Sequence, residues 1–347
     1  MTFGESVFVI AEGACNHMCD IELAYRMIDE AANSGADAIK FQTYKAEELV
    51  SSRARAFWGQ EKISQQEYYR ALDKFNKADY RQLFEHARRR GIICFSSPFD
   101  FESVDILAEL NMPIFKIASC DIDNLPLIEH IAKVGKPIIL STGASTAEEV
   151  DRAFSVIRKV DQELEVALLA CTLSYPTDPK NGNLARIRTL QKLYPSLTIG
   201  LSDHTEPDSN MVIPAVAVGV GAQIIEKHFT LDRSMTGSGH FFAVDPAQLE
   251  KMVVNIRLAE LVKGVAELGV TDAENRARMS ARRSIVARRD LNAGVVLDES
   301  AIAFKRPAGG LAPSQISAVL GKKLVRAVFS DEQILEEMLL PESEIEQ

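Results

Sequence analysis

Two short strings in this 347-residue chain carry the residues best suited to chemistry, Gly200-Leu201-Ser202-Asp203-His204 and Ile225-Glu226-Lys227-His228-Phe229-Thr230. Each is an apolar run that stops abruptly in polar and ionisable residues, the pattern of a buried strand delivering side chains at its carboxyl end. The two histidines stand 24 residues apart. That is about the length of one strand-helix unit, so neighbouring parallel strands can bring both imidazoles to one rim. Two neutral imidazoles, completed by water and a substrate oxygen, form an open metal site at which a divalent cation polarises a carbonyl as a Lewis acid. His204 and His228 are therefore candidate metal ligands and candidate catalytic residues.

Lys40 and Lys116 each follow a buried run directly and are themselves followed by apolar residues, which favours inward placement. With the hydroxyls of Ser97, Ser119, Thr142 and Ser202 they make a pocket for a small phosphorylated, carboxylated anion. The ammonium groups neutralise charge while the hydroxyls fix oxygen positions. Glu12 and Tyr175 join the same rim. Glu226-Lys227 reads equally well as a rim ion pair or as a catalytic pair. Cys15-x-His17-x-Cys19 matches no standard zinc spacing and reads as reduced thiols near a strand-loop junction. No P-loop, dinucleotide fingerprint or nucleophile elbow is present. These residues alone point to metal-assisted carbon-carbon bond chemistry or phosphoryl chemistry on an anionic substrate.

The elements that must position these residues repeat one grammar. Val7 to Ala11 is an apolar run ending in Glu12. Asp20 can cap a helix over 21–34 with Leu23, Met27, Ile28 and Ala31 on one face, and Gly35 closes it. Ala36 to Ile39 then ends in Lys40. The same strand, polar rim and helix recur at Gly91–Phe95, Pro113–Phe115, Pro137–Leu140 and Val166–Leu169, with Ser145 or Thr146 opening the helix after the third of these. About eight such units across about 250 residues predict a (β/α)₈ TIM barrel. Residues 51–79, rich in aromatic and charged side chains (Phe57, Trp58, Tyr68, Tyr69), interrupt the pattern as a candidate lid. The barrel is assigned to 1–270 and a polar, Arg-rich linker to 271–283. A small β-rich module follows over 284–347, with β-like runs at 284–287, 295–297 and 303–306, and its acidic end from Pro341 reads as a frayed tail.

Composition narrows the partners. A net charge of −10 disfavours general attraction to nucleic acid or to an anionic membrane, so an anionic substrate needs a local basic pocket. No apolar run reaches the roughly 20 residues of a membrane span, and Met1–Glu12 lacks a basic leader. The five scattered cysteines argue against a disulfide framework. A cytoplasmic location is the expectation.

Several strings, in this order, resemble the sialic acid (N-acetylneuraminate) synthase family. They are Ala11-Glu12 with Asn16-His17, Lys40-Phe41-Gln42-Thr43, Ser97-Pro98-Phe99-Asp100, Lys116-Ile117-x-Ser119, Cys171-Thr172 with Tyr175-Pro176, and the two histidine strings. Ser284 to Leu340, with Lys305-Arg306-Pro307 and Leu320-Gly321-Lys322, is similar to the antifreeze-like (SAF) domain those synthases carry. The resemblance implies condensation of phosphoenolpyruvate with an N-acylated amino sugar aldehyde to a nine-carbon 2-keto acid, with release of phosphate. It implies a divalent metal, usually Mn²⁺, with Mg²⁺ or another divalent ion as alternatives. Lys40, Ser97, Lys116, Ser119 and Ser202 would grip phosphoenolpyruvate, Glu12 would handle sugar hydroxyls or a proton, and Tyr175 would position the substrates. Asn16, Gln42, Asp121 and Thr142 complete the implied substrate-binding set. Arg306 would reach into the barrel of the partner subunit in a domain-swapped homodimer.

The chain departs from the family pattern where the sugar would bind. Thr236-Gly237-Ser238-Gly239-His240 stands in place of the usual Pro-Gly-Pro-Asp-His, so Gly239 replaces a carboxylate. Leu173 occupies a commonly polar place, and Gly13-Ala14 replaces Ile-Gly. The acceptor is left open among N-acetylmannosamine, its 6-phosphate and a dideoxy-diacetamido hexose. Two other readings also stay open: a carbohydrate-binding homologue without turnover, and another metal-dependent TIM-barrel aldolase or hydrolase.

Overall fold

The structure is a computed structural model that describes residues 6–55 and 63–340. The chain forms two compact units, Met1–Gly264 and Val265–Gln347. In the first, eight parallel strands close into a barrel in chain order. They are β1 Phe8–Ala14, β2 Ala38–Thr43, β3 Ile93–Pro98, β4 Phe115–Ile117, β5 Ile138–Ser141, β6 Val166–Cys171, β7 Thr198–Asp203 and β8 Ile224–His228. The helices between and after them are α1 Ile21–Asn33, α2 Ala46–Leu49, α3 Gln65–Arg70, α4 Lys77–Arg90 and α5 Phe101–Glu109. They continue with α6 Leu125–Lys133, α7 Ala147–Val160, α8 Arg186–Leu193, α9 Val212–Val220 and α10 Pro246–Lys263. The (β/α)₈ expectation holds.

Local signals explain the element boundaries. Asp20 accepts from the backbone of Glu22 and Leu23 and so starts α1, whose buried face is Ala24, Met27, Ile28 and Ala31; Leu23 is only half-buried. Thr146, not Ser145, caps α7, in a reciprocal box with Glu149. Residues 51–79 contain α3, also opened by a capping box, and Tyr68 and Tyr69 pack on a small cluster of Cys15, Tyr44 and Leu72. Phe57 and Trp58 lie outside the described residues, as does the tail from residue 341.

The register between the last two strands pairs Ser202 with Glu226 and Asp203 with Lys227. Because side chains alternate across a strand, this sends Ser202 and Glu226 to one face and Asp203 and Lys227 to the other. Gly200 is where β7 comes closest to its neighbour. A Cβ there would collide with the Ile224 carbonyl oxygen and lie 2.6 Å from Leu169 Cδ2.

In the second unit, α11 (Asp272–Ala281) falls inside the stretch assigned as a linker, because Thr271 and Glu274 form a capping box. The unit's sheet is two antiparallel strands, β9 Ser284–Ala287 and β10 Ile302–Lys305. The run at 295–297 is not a strand; it makes only an isolated bridge, Val296 to Lys323. Short 3₁₀ turns and a core including Ile285, Leu297, Val319 and Ile334 complete the unit. Two of the three suggested β-runs are thus strands, and the third is held only through its bridge to Lys323.

His17 belongs to the barrel's packing. Its ring stacks on Phe75 at 4.5 Å and meets Phe41 edge-on, and its Nδ1 accepts from the Cys19 backbone N–H at 3.0 Å. Cys15 instead lies 3.3 Å from the Tyr44 hydroxyl. Burial lowers His17 from an ordinary 6.5 to about 4. Between those values the folded chain binds fewer protons than the unfolded chain, so stability present above pH 6.5 is lost as pH falls towards 4. In urea titrations across that window, His17→Gln should flatten the loss by about 3 kcal/mol. Gly200→Ala should cost roughly 1–3 kcal/mol in the same assay at pH 7, because the strands must part to admit a methyl group.

Candidate active site

The barrel closes by pairing β1 with both β2 and β8, so that Glu12 stands opposite Lys40 and two residues along β1 from the partner of Glu226. All three are buried. Lys40 Nζ lies 2.5 Å from Glu12 Oε2 and 3.3 Å from Glu226 Oε2, and donates to Ser97 Oγ at 3.1 Å. Lys116 Nζ donates to Ser141 Oγ at 2.7 Å and to the Ile117 carbonyl at 3.0 Å, and stands 3.9 Å from Glu226 Oε1. Ser202 Oγ donates to Glu226 Oε1 at 2.8 Å. Two ammonium groups, two carboxylates and three hydroxyls thus share one buried cluster.

The two carboxyl groups are not equivalent. Burial pushes Glu12 up to about 7, since Lys40 offsets only part of its lost hydration and Glu226 adds repulsion. Burial acts on Glu226 too, but Lys116, Lys40 and the Ser202 hydroxyl outweigh it and hold that carboxyl below the usual range. Burial opposes the charge on Lys40, yet Glu12 and Glu226 raise its pKa. Lys116, with a more distant carboxylate, is lowered by burial. The result is a fixed anion, two cations and a carboxyl group able to carry a proton near neutrality.

The histidines stand at the carboxyl ends of β7 and β8, with ring centroids 5.2 Å apart. Burial lowers His204 to about 4 and His228 well below 6.5, so both rings are neutral. His204 Nδ1 lies 3.1 Å from the Thr172 carbonyl. That contact assigns the proton to Nδ1 and leaves Nε2 with its lone pair, the arrangement of a metal-binding imidazole. His228 Nδ1 is buried without a hydrogen-bond partner, as is Glu12 Oε1. These donors suit a divalent cation, although among the described residues no group of three or more His, Cys, Asp or Glu is arranged as a ligand set. Two nitrogens leave the remaining positions to water and substrate.

Tyr175 is half-exposed and its ring covers the pair, 4.4 Å from His204 and 5.8 Å from His228. Asn16 is buried and its Nδ2 donates to the Phe229 carbonyl at 2.9 Å, which holds the loop after β8. Gln42 follows Lys40 at strand spacing and approaches Cys15 Sγ at 3.7 Å. Ser119 Oγ accepts the Gly143 N–H at 2.9 Å. Asp121 sits one turn beyond β4, raised to about 6 by burial. Arg306 is exposed after β10 in the second unit.

Three placements differ from the rim reading. Thr142 spends its hydroxyl on the Leu169 carbonyl at 3.0 Å, whereas its neighbour Ser141 meets Lys116. Glu226 is at the centre of the charge cluster, and Lys227 points away to a separate buried pair with Asp203 at 2.7 Å. The rim ion pair considered for Glu226-Lys227 therefore does not form. Parity within each strand is the signal that distinguishes Ser141 from Thr142 and Glu226 from Lys227, once the inward phase is set by Lys116 and Ser202.

Comparison with known proteins identifies the family. Residues 27–267 match the NeuB family and 282–340 match the SAF domain. The chain is 36% identical to the N,N'-diacetyllegionaminic acid synthase of Campylobacter jejuni, over 96% of this chain and 100% of that one. It is 32% identical to the human N-acetylneuraminate-9-phosphate synthase, over 96% and 92% of the two chains. Among solved structures, the sialic acid synthetase of Leptospira borgpetersenii in complex with citrate is similar with a TM-score of 0.71 and 36% identity, covering 79% of this chain and 90% of that one. With its lysine-carboxylate cluster under a histidine pair and an SAF domain after the barrel, the chain belongs to the NeuB family.

Proposed function

We propose that the protein is a nonulosonic acid synthase that joins C3 of phosphoenolpyruvate to the aldehyde carbon of an N-acylated amino sugar, adds water and releases phosphate. The observation that carries this reading is the pairing, within one barrel mouth, of Lys40 and Lys116 with the neutral imidazoles of His204 and His228. The lysines, with Ser97, Ser119, Ser141 and Ser202, bind the carboxylate and phosphate of phosphoenolpyruvate. His204 and His228 would hold a divalent cation, Mn²⁺ in the first instance, which when bound supplies Lewis acidity towards the aldehyde oxygen. Glu12 holds a proton at its carboxyl group beside Lys40 and can pass it to the oxygen that becomes a hydroxyl as the new bond forms. Tyr175 shields the histidine pair from water and orients the open-chain sugar. Asn16, Gln42, Asp121 and Thr142 complete the acceptor side, Asn16 and Thr142 through the loop and backbone they brace.

A homodimer is part of this reading. Val212 and Val216 on α9 and Val254, Leu258, Leu261 and Val262 on α10 are exposed, a stripe of apolar surface suited to a second copy. Arg306 would then complete the acceptor site of the partner. Among the described residues no helix is long and apolar enough to cross a membrane, and the five cysteines are free, which suits action in the cytoplasm.

Incubation with phosphoenolpyruvate, Mn²⁺ and a panel of amino sugars should release phosphate only when an acceptor is present, with a nine-carbon acid seen by mass spectrometry. Absence of sugar-dependent phosphate with every acceptor would favour a binding protein, and activity without phosphoenolpyruvate an aldolase. Lys116→Ala should lower kcat/KM for phosphoenolpyruvate by about 100-fold or more. His204→Ala should abolish Mn²⁺ binding read by electron paramagnetic resonance. Mixed Lys116→Ala and Arg306→Ala protomers should recover activity that neither has alone, up to about a quarter of the wild-type sites in a random mixture of dimers. No recovery would remove the shared site.

A further inference from the structure

Lys227 takes no part in the charge cluster, yet it is buried with Asp203 on the opposite face of the sheet. The pairing of β7 with β8 ends at these two residues, and His204 is the first residue past that end. The ladder between the strands therefore stops one residue short of His204. The Lys227 side chain carries the connection further. Its ammonium group donates to Asp203 Oδ2 at 2.7 Å, to the Thr205 carbonyl at 2.8 Å and to Thr205 Oγ1 at 3.4 Å, one acceptor for each N–H. Asp203 Oδ1 in turn accepts the Thr205 N–H at 2.9 Å. His204 is thus bracketed on both sides by groups tied to the residue that precedes His228. Its carbonyl accepts the Thr177 N–H at 2.8 Å, and Thr177 Oγ1 donates to the Thr172 carbonyl, the group that faces His204 Nδ1.

We infer that Lys227 is a positioning residue for the histidine pair: from the far face of the sheet it fixes the chain on either side of His204 to the strand bearing His228, and so sets how the two rings face one another. This rests on the reading of that pair as a divalent-cation site. Stability alone does not call for the arrangement, because apolar side chains of similar volume often match or better a buried ion pair. What the ammonium group adds is direction, three bonds aimed at fixed atoms. The two rings, with centroids 5.2 Å apart, are carried by different strands, so a shift at the end of β7 moves one donor and not the other. Metal-ligand distances tolerate only about 0.2 Å, and groups that orient a ligand from behind govern much of its affinity.

The experiment uses the full chain with Lys227→Met, and with Lys227→Met joined to Asp203→Asn, which leaves no unpaired charge and keeps an acceptor for the Thr205 N–H. Mn²⁺ affinity, read by electron paramagnetic resonance, should fall about tenfold or more in both. Phosphoenolpyruvate affinity, read by calorimetry on metal-free protein, should stay within about twofold, since Lys40 and Lys116 are untouched. The imidazole nitrogen resonances of metal-free protein should show His204 protonated at Nδ1 in the wild type and a mixture of tautomers in the double variant. If Lys227→Met alone fails to fold around a lone buried carboxylate, the double variant decides. Unchanged Mn²⁺ affinity, an equal loss of phosphoenolpyruvate affinity, a His204 tautomer unmoved by the double substitution, or loss of the fold in that variant marks the pair as a structural tie and overturns the inference. A wild type that binds no Mn²⁺ overturns the metal reading instead, and the His204 tautomer still tests the positioning role.

Discussion

Lys40 carries a full charge with almost no water around it, and the site is arranged around making that tolerable. Removing an ammonium group from water costs several kcal/mol even after relaxation, unless carboxylates stand at fixed short range. Glu12 and Glu226 do so, and they come from β1 and β8, the first and last strands of the barrel. The cluster therefore spans the seam at which the barrel closes. An open sheet of the same strands would leave Glu226 far from Lys40, so the chemistry depends on closure as strictly as the core does.

On the function proposed above, the same cluster is what lets a protein of net charge −10 receive an anion. Its two ammonium groups are buried within a low-dielectric wall, where they act strongly and are little screened by salt. Glu226 is shared between them, and Glu12 is poised near half-protonation, so the local balance tips positive while the surface remains acidic. The histidine pair adds no positive charge of its own, because burial keeps both rings neutral. On the function proposed above, anion grip and carbonyl activation fall to adjacent but chemically different groups.

Much of this is legible in the sequence. Lys40 and Lys116 interrupt apolar runs, and such interruptions in a strand rim are costly unless functional. The recurrence of strand and helix units points to the barrel despite the interruption at 51–79, and the histidines at two consecutive strand ends point to their proximity. What strings could not decide was phase. Glu226 and Lys227, or Ser141 and Thr142, are equally good rim residues until a register tells which faces inward, and register is a property of the neighbouring strand. The 271–283 stretch was opaque for another reason: α11 has no buried residue, so it lacks the periodic apolar face by which helices are recognised, and only its capping box marks it. In the second unit, two of the three short apolar runs are strands and the third is reduced to an isolated bridge, because the backbone there pairs over distances no local pattern encodes.

The alternation along β8 also bears on how such a protein can change over generations. A one-residue insertion within Ile224–His228 would exchange Glu226 and Lys227 across the wall, putting an ammonium group at the centre of the anion pocket and a carboxylate against Asp203. Strand length is thus frozen by charge on both faces at once. From Phe229 to Val244, by contrast, the chain returns to the barrel through a single bridge between those two residues, and the length between them is free of any such parity. Lineages can therefore lengthen, shorten and resculpt that loop to meet new sugars while inheriting the catalytic strand unaltered.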